Sequence, residues 1–211
     1  MRGKFITFEG PEGGGKSTHV KELAERLKAD GRKVLVTREP GGTRLAELIR
    51  ALVREEVDDP PVTRSEVLLF LAARAQVVAN VIKPALARGE WVICDRFADS
   101  TFAYQGYGRG IDVALLKDLN DFATEGLLPD LTILLDVPPE VSRERLAVRQ
   151  AATATKADRI ELAGEMFHRR LREGFLELAR AEPRRFAVID SSGEREAVSN
   201  AVYAAMRRIS G

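Results

Sequence analysis

"GPEGGGKST", residues 10–18, lies between the apolar run "KFITFE" and a stretch with the apolar spacing of a helix. Gly10, Gly15, Lys16 and Ser17 fit the pattern of a glycine, four further residues and Gly-Lys-Ser that binds phosphates between a strand and a helix. In such a loop the backbone amides and the helix N-terminus surround the phosphates, the lysine reaches the β and γ phosphates, and the serine hydroxyl ligates magnesium. The predicted triphosphate-binding residues are Gly10, Pro11, Glu12, Gly13, Gly14, Gly15, Lys16, Ser17 and Thr18. The sequence therefore predicts a nucleoside triphosphate site with Lys16 as a catalytic cation.

Apolar runs alternate with amphipathic stretches along the rest of the chain. Five runs have the composition of buried strands, at residues 4–9, 33–37, 91–95, 131–136 and 185–190. Helical spacing of apolar residues occurs over residues 17–29, 43–57, 64–88, 112–124, 139–149 and 160–181. Strand and helix alternation produces a parallel sheet that is covered on both faces. We therefore predict a single α/β domain over residues 1–211 with a P-loop NTPase fold, built on a five-stranded parallel sheet.

Two stretches lack a clear pattern of helix or strand. Residues 97–111, with glycines and aromatic residues, and residues 150–158, rich in Ala and Thr, are predicted to be the least ordered. Pro84, inside the helix predicted at 64–88, cannot donate a backbone hydrogen bond and predicts a kink or break near the preceding residue. Ligands of such sheets bind at the carboxyl ends of the strands, so the site residues are expected there.

The charge balance excludes a general attraction to polyanions. The chain has 33 basic and 32 acidic residues and a net charge of +1, so no net field draws it to nucleic acid or to a membrane. The first apolar run is too short for a signal peptide, and no stretch approaches the roughly 18 apolar residues of a membrane span. We therefore expect a cytoplasmic protein that binds neither nucleic acid nor membranes. Any anion site must come from local clusters of basic residues.

Charged side chains follow three of the predicted strands. Asp95 and Arg96 end the stretch "WVICDR", where Asp95 can hold magnesium directly or through water and Arg96 can bind an anion. Asp136 is a competing magnesium ligand, although the two prolines that follow it offer little to a phosphate. Arg38, in "TREPGGT", lies at another strand end and suggests a second phosphate group to bind.

Phe70 and Arg74, in "LLFLAARAQ", are four residues apart and so share a helix face. A planar base could stack on the Phe70 ring, and the guanidinium of Arg74, which only donates, would favour a carbonyl over an amino group at the base edge. The competing interpretation places Phe70 in the core among leucines and Arg74 in solvent.

Together and in this order, these segments resemble the thymidylate kinases, which pass the γ-phosphoryl group of ATP to dTMP. The matching stretches are "FEGPEGGGKST", "TREPGGT", "LLFLAARAQVV", "VIKPAL", "VICDRFADSTFAYQG", "PDLTILLDVPPE" and "DRIE". The pairing of "TREPGGT" with "DRF" and "AYQG" is more specific than the phosphate loop alone. The resemblance implies a homodimeric enzyme of dTTP biosynthesis that makes dTDP from dTMP and uses ATP with Mg²⁺.

The resemblance also implies roles for the matching residues. Glu12 would accept a hydrogen bond from the sugar 3′-hydroxyl, Arg38 and Arg96 would hold the dTMP phosphate, and Tyr104 would crowd the sugar C2′. Phe70 would stack on thymine and Arg74 would bind its O4, which decides between the two interpretations above. The implied dTMP-binding residues are Glu12, Arg38, Pro40, Phe70, Arg74, Arg96, Ser100, Thr101, Tyr104 and Gln105. The predicted metal-binding residues are Ser17 and Asp95, and the predicted catalytic residues are Lys16, Asp95, Arg96 and Arg149.

In the family that the chain resembles, a small lid segment closes over ATP, here at about residues 143–159. The variable positions of the phosphate loop carry no basic residue, so the resemblance implies that the lid supplies the charge. The lid cations are Arg145, Arg149, Lys156 and Arg159, separated by an uncharged run. We predict that Arg149 contacts the transferring phosphoryl group, with Lys156 second, and that both bind ATP.

Three alternatives follow from the same residues. "TKAD" at 155–158 fits the guanine-binding motif of GTPases, but the only Asp-x-x-Gly tetrapeptide, "DSSG" at 190–193, comes after it rather than before. A non-catalytic ATP-binding regulator would not need Phe70 and Arg74. Another nucleoside monophosphate kinase or a deoxynucleoside kinase is the nearest rival among enzymes.

Overall fold

The sheet contains five parallel strands with β1 at its centre. A computed structural model describes residues 2–54, 58–153 and 164–210. The strands are β1 (Phe5–Glu9), β2 (Val34–Arg38), β3 (Trp91–Asp95), β4 (Leu131–Asp136) and β5 (Phe186–Asp190), in the order β2-β3-β1-β4-β5. Every neighbouring pair is parallel. The predicted α/β fold with a five-stranded parallel sheet is confirmed.

Helices connect the strands and cover both faces of the sheet. The α-helices are α1 (Lys16–Ala29), α2 (Arg44–Arg54), α3 (Thr63–Val77), α4 (Lys83–Ala87), α5 (Ala98–Thr101), α6 (Val113–Thr124), α7 (Pro139–Thr153), α8 (Glu165–Ala181) and α9 (Arg195–Met206). Two π-helical segments, Val78–Ile82 and Phe102–Gly108, and a 3₁₀ turn, Arg207–Ile209, complete the described elements. The observed helices lie close to the predicted ranges, apart from the differences given below.

Alternation of side chains along β1 produces two hydrophobic cores. Phe5 packs on one face of the sheet with residues of α3, α6 and α8. Ile6 and Phe8 pack on the other face with α1 and α9. All three side chains have no exposed surface, and each contributes roughly 1.5–3 kcal/mol of burial free energy. A strand that is apolar on both faces must be central in the sheet, which places the loop after β1 between β3 and β4.

α3, the π-helical segment Val78–Ile82 and α4 form one continuous helix from Thr63 to Ala87. The irregular segment ends at Ile82, two residues before Pro84, where the sequence predicts a kink or break. In the described chain this is the one helix long and apolar enough to span a membrane, which the sequence analysis did not anticipate. Inside the protein 44% of its most apolar part is buried, and core helices of soluble proteins can be equally long and apolar.

The prediction that residues 97–111 are among the least ordered is wrong. The stretch forms α5 and the π-helical segment Phe102–Gly108, most of which is buried against α8. Its aromatic residues enter the core, and the glycines permit close packing. A Cβ on Gly108 would lie 2.6 Å from the Phe167 ring, and one on Gly174 of α8 would lie 2.6 Å from Tyr107 Cβ.

The region of the predicted lid begins as a helix. The prediction that residues 150–158 are poorly ordered is wrong for residues 150–153, because α7 continues to Thr153. The rest of that stretch, with Lys156 and the "TKAD" motif, lies outside the described residues, as does Arg159.

Candidate active site

The phosphate loop turns sharply between β1 and α1. Gly10 has a φ of 129°, and a Cβ at this position would lie 2.4 Å from the carbonyl oxygen of Leu135. Gly13 has a φ of 73°, and a Cβ there would lie 2.8 Å from the carbonyl oxygen of Ser142 on α7. Any side chain at either position would collide with backbone, so the glycines allow the loop to pass between β4 and α7.

Lys16 begins α1 and folds back over the loop. Its Nζ donates to the carbonyl oxygens of Gly10 at 2.9 Å and Pro11 at 2.6 Å. Burial, together with the charge of Arg96, lowers the pKa of Lys16 to about 8. The side chain therefore remains mostly charged at neutral pH, as a phosphate-binding lysine requires.

Ser17 and Asp95 meet at the carboxyl edge of the sheet, because β1 and β3 are paired in parallel register there. The Ser17 hydroxyl donates to Asp95 Oδ2 at 2.7 Å. Asp136, the competing metal ligand, instead accepts two hydrogen bonds from Arg172, at 2.7 and 2.8 Å. The pairing with Arg172 favours Asp95 as the ligand. Within the described residues no group of three or more His, Cys, Asp or Glu side chains is arranged to hold a metal by itself.

Arg96 joins the end of β3 to the phosphate loop. Its φ of 70° lies in the left-handed region, which is uncommon for arginine and costs roughly 1–3 kcal/mol. Its guanidinium donates to the Gly10 carbonyl and the Ser100 hydroxyl, each at 3.1 Å, and to Glu12 Oε1 at 2.8 Å. It also lies 4.9 Å from the centre of the Tyr104 ring. These contacts aim the side chain into the cleft despite the strained backbone.

Glu12 accepts hydrogen bonds from two polar side chains. It accepts the hydrogen bond from Arg96 and one from the Tyr104 hydroxyl at 2.6 Å, both on Oε1. Burial by itself would raise the pKa of Glu12, but the charges of Arg96 and Lys16 and the Tyr104 hydrogen bond lower it below its usual value. Oε2 is buried and has no hydrogen-bond partner among the described residues. Glu12 is therefore an ionised carboxylate with an acceptor to spare.

Glu9 is a fully buried carboxyl group that the sequence analysis missed. Its Oε1 accepts from the Phe97 amide at 2.8 Å, and its Oε2 accepts from the Ser100 hydroxyl at 2.5 Å. Burial and the nearby charge of Asp99 raise its pKa to about 8, although Ser100 and Arg96 act in the opposite direction. Glu9 holds the backbone after Arg96 and the hydroxyl that Arg96 contacts. An acidic residue before a phosphate loop gives no sequence signal for this role.

Arg74 is buried rather than solvated. It forms an ion pair with Glu39 at 2.7 Å and is surrounded by further acceptors from α5 and α6. Phe70, one helical turn earlier, is half-buried and packs against the small cluster formed by α2 and α3. Both side chains line the cleft, so the structure brings together the two residues that the sequence paired.

The cleft is a cavity of about 630 Å³ that combines the phosphate loop with the region around Phe70. Eight cationic and three acidic side chains of the described chain line it. This local excess of positive charge exists in a chain whose net charge is +1. The cations are Lys16, Arg38, Arg50, Arg54, Arg74, Arg96, Arg145 and Arg149.

Most of the residues singled out in the sequence line this cavity. They are Glu12, Gly13, Gly15, Lys16, Ser17, Thr18, Arg38, Pro40, Phe70, Arg74, Asp95, Arg96, Ser100, Thr101, Tyr104, Gln105 and Arg149. Gly10 and Pro11 contribute the carbonyl groups that bind Lys16, and Gly14 packs near the backbone of β4. Lys156 lies outside the described residues.

Three cations of the cleft were missed by the sequence analysis as site residues. Arg50 and Arg54 come from α2, where their spacing of four places them on one face. Arg50 donates to the Pro40 carbonyl at 3.0 Å, next to Arg38. Arg145, which the sequence analysis named only as a lid cation, anchors α7 through carbonyl groups of Gly13 at 3.3 Å and Ser191 at 2.8 Å.

A second cavity, of about 280 Å³, adjoins the phosphate loop on the side of β5. Gly13, Thr18 and Arg145 line it together with Ser191 and Arg195 from the region after β5. Both cavities are bordered by Gly13, Gly15, Thr18 and Arg145. The phosphate loop therefore lies between the two cavities.

Comparisons with known proteins agree on one family. A family model described as Thymidylate kinase matches residues 8–202. The thymidylate kinase of Geotalea uraniireducens is 48% identical over 205 residues, with 97% of this chain and 96% of that protein covered. The thymidylate kinase of Deinococcus radiodurans is 49% identical over 208 residues, with 97% of each chain covered. The crystal structure of the Ehrlichia chaffeensis thymidylate kinase superposes with a TM-score of 0.74 at 38% identity, over 91% of this chain and 95% of that one.

The raised pKa of Glu9 predicts that the stability of the protein depends on pH. Because its pKa is raised from 4.5 to about 8 in the folded protein, the folded state binds more protons than the unfolded state between these values. The stability that Glu9 contributes should therefore fall as the pH rises from about 5 to about 8. Urea unfolding of the wild type and Glu9→Gln across this range should show the wild type losing more stability than the variant. The exposed Glu196→Gln serves as control, and parallel pH profiles for wild type and Glu9→Gln would contradict the prediction.

Proposed function

The chain belongs to the thymidylate kinase family and phosphorylates dTMP to dTDP with ATP as donor, and we propose how its cleft divides between the two nucleotides. The phosphate loop takes the triphosphate of ATP, and the region around Phe70 and Arg74 takes the base of dTMP. The observation that carries this division is that both regions open into one cavity, which eight cations of the described residues line. We further propose that residues 1–211 form one domain, with a lid at about residues 143–159.

The donor lies along the phosphate loop. Lys16 binds the β and γ phosphates, and the carbonyl groups that it now contacts give way to phosphate oxygens, which attract the ammonium group more strongly. The rest of ATP extends into the adjoining cavity of about 280 Å³, beside Arg145 and Thr18. Arg149, on the cleft side of α7, contacts the transferring phosphoryl group.

Magnesium fits the donor set at the base of the phosphate loop. Ser17 and Asp95 supply a hydroxyl and a carboxylate oxygen within 2.7 Å of each other, and hard oxygen ligands of this kind suit Mg²⁺. One or two protein ligands are enough, since magnesium takes its remaining ligands from phosphates and water. When bound with ATP, it offsets the charge that develops on the phosphate oxygens.

The acceptor dTMP lies across Arg96 from the bound ATP. Glu12 Oε2, buried and without a partner among the described residues, accepts the hydrogen bond from the sugar 3′-hydroxyl. Arg96 and Arg38 hold the phosphate, and Arg50 adds a third positive charge nearby. Tyr104, held by its hydrogen bond to Glu12, leaves little room for a ribose 2′-hydroxyl.

The base pocket contains the remaining predicted residues. Phe70 stacks on thymine, and Arg74 donates to its O4. Ser100, Thr101 and Gln105 line the pocket, and Pro40 closes it from the loop after β2. Discrimination by the thymine methyl alone is worth only roughly 1–3 kcal/mol, so polar and steric exclusion carry the rest.

The reaction needs charge compensation more than a strong base. A dTMP phosphate oxygen is already anionic; it attacks the γ phosphorus while the bond to the β–γ bridging oxygen breaks, and the electron pair leaves with ADP. Each like-charge pair at about 4 Å costs roughly 4 kcal/mol at an effective dielectric constant near 20. Lys16, Arg38 and Arg96 offset this repulsion and align the two phosphates.

An acceptor panel tests this function. ADP release is measured with ATP, magnesium and each of dTMP, dUMP, UMP, dCMP, AMP, GMP and thymidine. We expect the highest kcat/KM with dTMP, because Arg74 and Phe70 select a pyrimidine with a carbonyl at its edge, Tyr104 crowds a ribose 2′-hydroxyl, and the thymine methyl adds a smaller preference over dUMP. Activity confined to AMP or GMP, or rapid GTP hydrolysis without an acceptor, would overturn the proposal.

Kinetic measurements distinguish the roles of the lid cations Arg149 and Lys156. Arg149→Ala should lower kcat by roughly 10³-fold, the lower end for a cation that contacts a transferring phosphoryl group, while Lys156→Ala has a smaller effect. Arg143→Ala, an exposed arginine on α7 that is not among the cavity-lining residues, is the matched control. If Lys156→Ala abolishes turnover while Arg149→Ala stays near the wild type, the two roles are exchanged.

The homodimer is proposed from exposed apolar side chains on neighbouring helices. Leu68 on α3 is 60% exposed, and Phe122 on α6 is 88% exposed. Leu45, Leu48 and Leu52 form an exposed row on α2, which packs against α3. A second copy of the chain would bury this surface. The enzyme is further proposed to be cytoplasmic.

Phe122→Glu tests the dimer. A charge at the centre of an apolar interface should shift the chain from dimer to monomer in sedimentation at micromolar concentration. Val148→Glu, another exposed apolar residue but on α7, should leave the mass unchanged. A wild-type chain that sediments as a monomer would refute the proposal.

A further inference from the structure

Hydrogen bonds surround the guanidinium of Arg74, which is only 3% exposed. Nε donates to Glu39 Oε2 at 2.7 Å, and Nη2 donates to the Phe97 carbonyl at 3.0 Å. Nη1 donates to Thr101 Oγ1 at 2.9 Å and to Asn120 Oδ1. Four of the five N–H groups therefore meet acceptors within the described chain, and one N–H on Nη2 remains. Since Arg74 also lines the cavity, this N–H is the one available to a bound base.

Asn120 reaches Arg74 from α6 and is itself buried, at 1% exposure. Its Nδ2 donates to the Leu116 carbonyl one helical turn earlier, at 2.8 Å. Because Nδ2 is used in this way, Oδ1 must face the guanidinium. Asn120 is not among the described residues that line the cavity, and its contact with Arg74 connects it to a ligand there.

We propose that Asn120 is a positioning residue that sets the angle of the Arg74 guanidinium and thereby the preference for a carbonyl over an amino group at the edge of the acceptor base. The proposal rests on the proposed binding of dTMP in this cleft. Glu39 and Phe97 fix one side of the planar group, and Asn120 with Thr101 fixes the other. Removing the Asn120 oxygen leaves an Nη1–H unpaired in a buried site, and the plane turns to find another acceptor. The remaining N–H then no longer points at the base.

The test compares Asn120→Leu, which keeps the approximate volume but has no acceptor, with Asn120→Asp, which keeps the oxygen. We expect Asn120→Leu to raise the Kd and KM for dTMP roughly tenfold, to lower the preference for dTMP over dCMP by a similar factor, and to change the KM for ATP less than about twofold. Asn120→Asp should stay within about threefold of the wild type. Asp121→Ala, an exposed neighbour on α6, is the control for the helix.

A double-mutant cycle distinguishes positioning from loss of structure. In an Arg74→Lys background, Asn120→Leu should weaken dTMP binding less than about twofold, since the guanidinium that it positions is gone. If Asn120→Leu fails to fold in thermal melting, Asn120→Ser is held to the same criteria. An unchanged Kd for dTMP, equal effects on dTMP and ATP, or an undiminished effect in the Arg74→Lys background would overturn the inference.

Titration of the wild type with dTMP distinguishes a failure of the proposed function from a failure of the role of Asn120. Failure of the wild type to bind or phosphorylate dTMP overturns the proposed function itself. Binding by the wild type with an equal Kd for Asn120→Leu overturns only the role of Asn120.

Discussion

The ion pair between Arg96 and Glu12, at 2.8 Å, joins the two halves of the cleft. Glu12 belongs to the loop that follows β1, and Arg96 ends β3, so the contact exists only because these strands are paired in parallel with their carboxyl ends at one edge. Arg96 has a left-handed backbone conformation, which its neighbours must stabilise. Besides Glu12, these neighbours are Glu9, Ser100 and Tyr104. The two proposed substrate sites therefore share Glu12 and Arg96 as part of their walls.

Burial decides how charge works in this cleft. An arginine at the surface of a chain with net charge +1 would attract phosphate weakly, since water and salt screen it. Lys16 and Arg96 lie instead beside half-buried carboxylates, Glu12 and Asp95, that neutralise part of their charge. Preorganised cations of this kind need little rearrangement when a polyanion enters, and that is where electrostatic catalysis gains most.

The sequence predicted the parts of this protein that depend on local pattern. The phosphate loop was recognisable because its glycines, Lys16 and Ser17 stand at fixed spacing, and the sheet because apolar runs recur. The stretch 97–111 was misjudged because glycines signal loops locally, whereas here they allow α8 to approach; only tertiary packing decides between the two. Glu9, Glu39 and Asn120 act through contacts across 88, 35 and 46 positions of the chain, and no local spacing encodes such contacts.

The network around Arg74 also bears on how a base preference set by this residue, as proposed above, could change. Replacement of Arg74 by a neutral residue would leave Glu39, Asn120 and the Phe97 carbonyl buried without their donor. Loss of one member of a buried ion pair costs roughly 3–5 kcal/mol, a large share of the roughly 5–15 kcal/mol that keeps a protein folded. A neutral substitution of Arg74 would therefore lower the stability of the fold at the same time as it removed the proposed contact to the base. Because these buried groups depend on one another, a change of base preference at this position requires that several residues be replaced together.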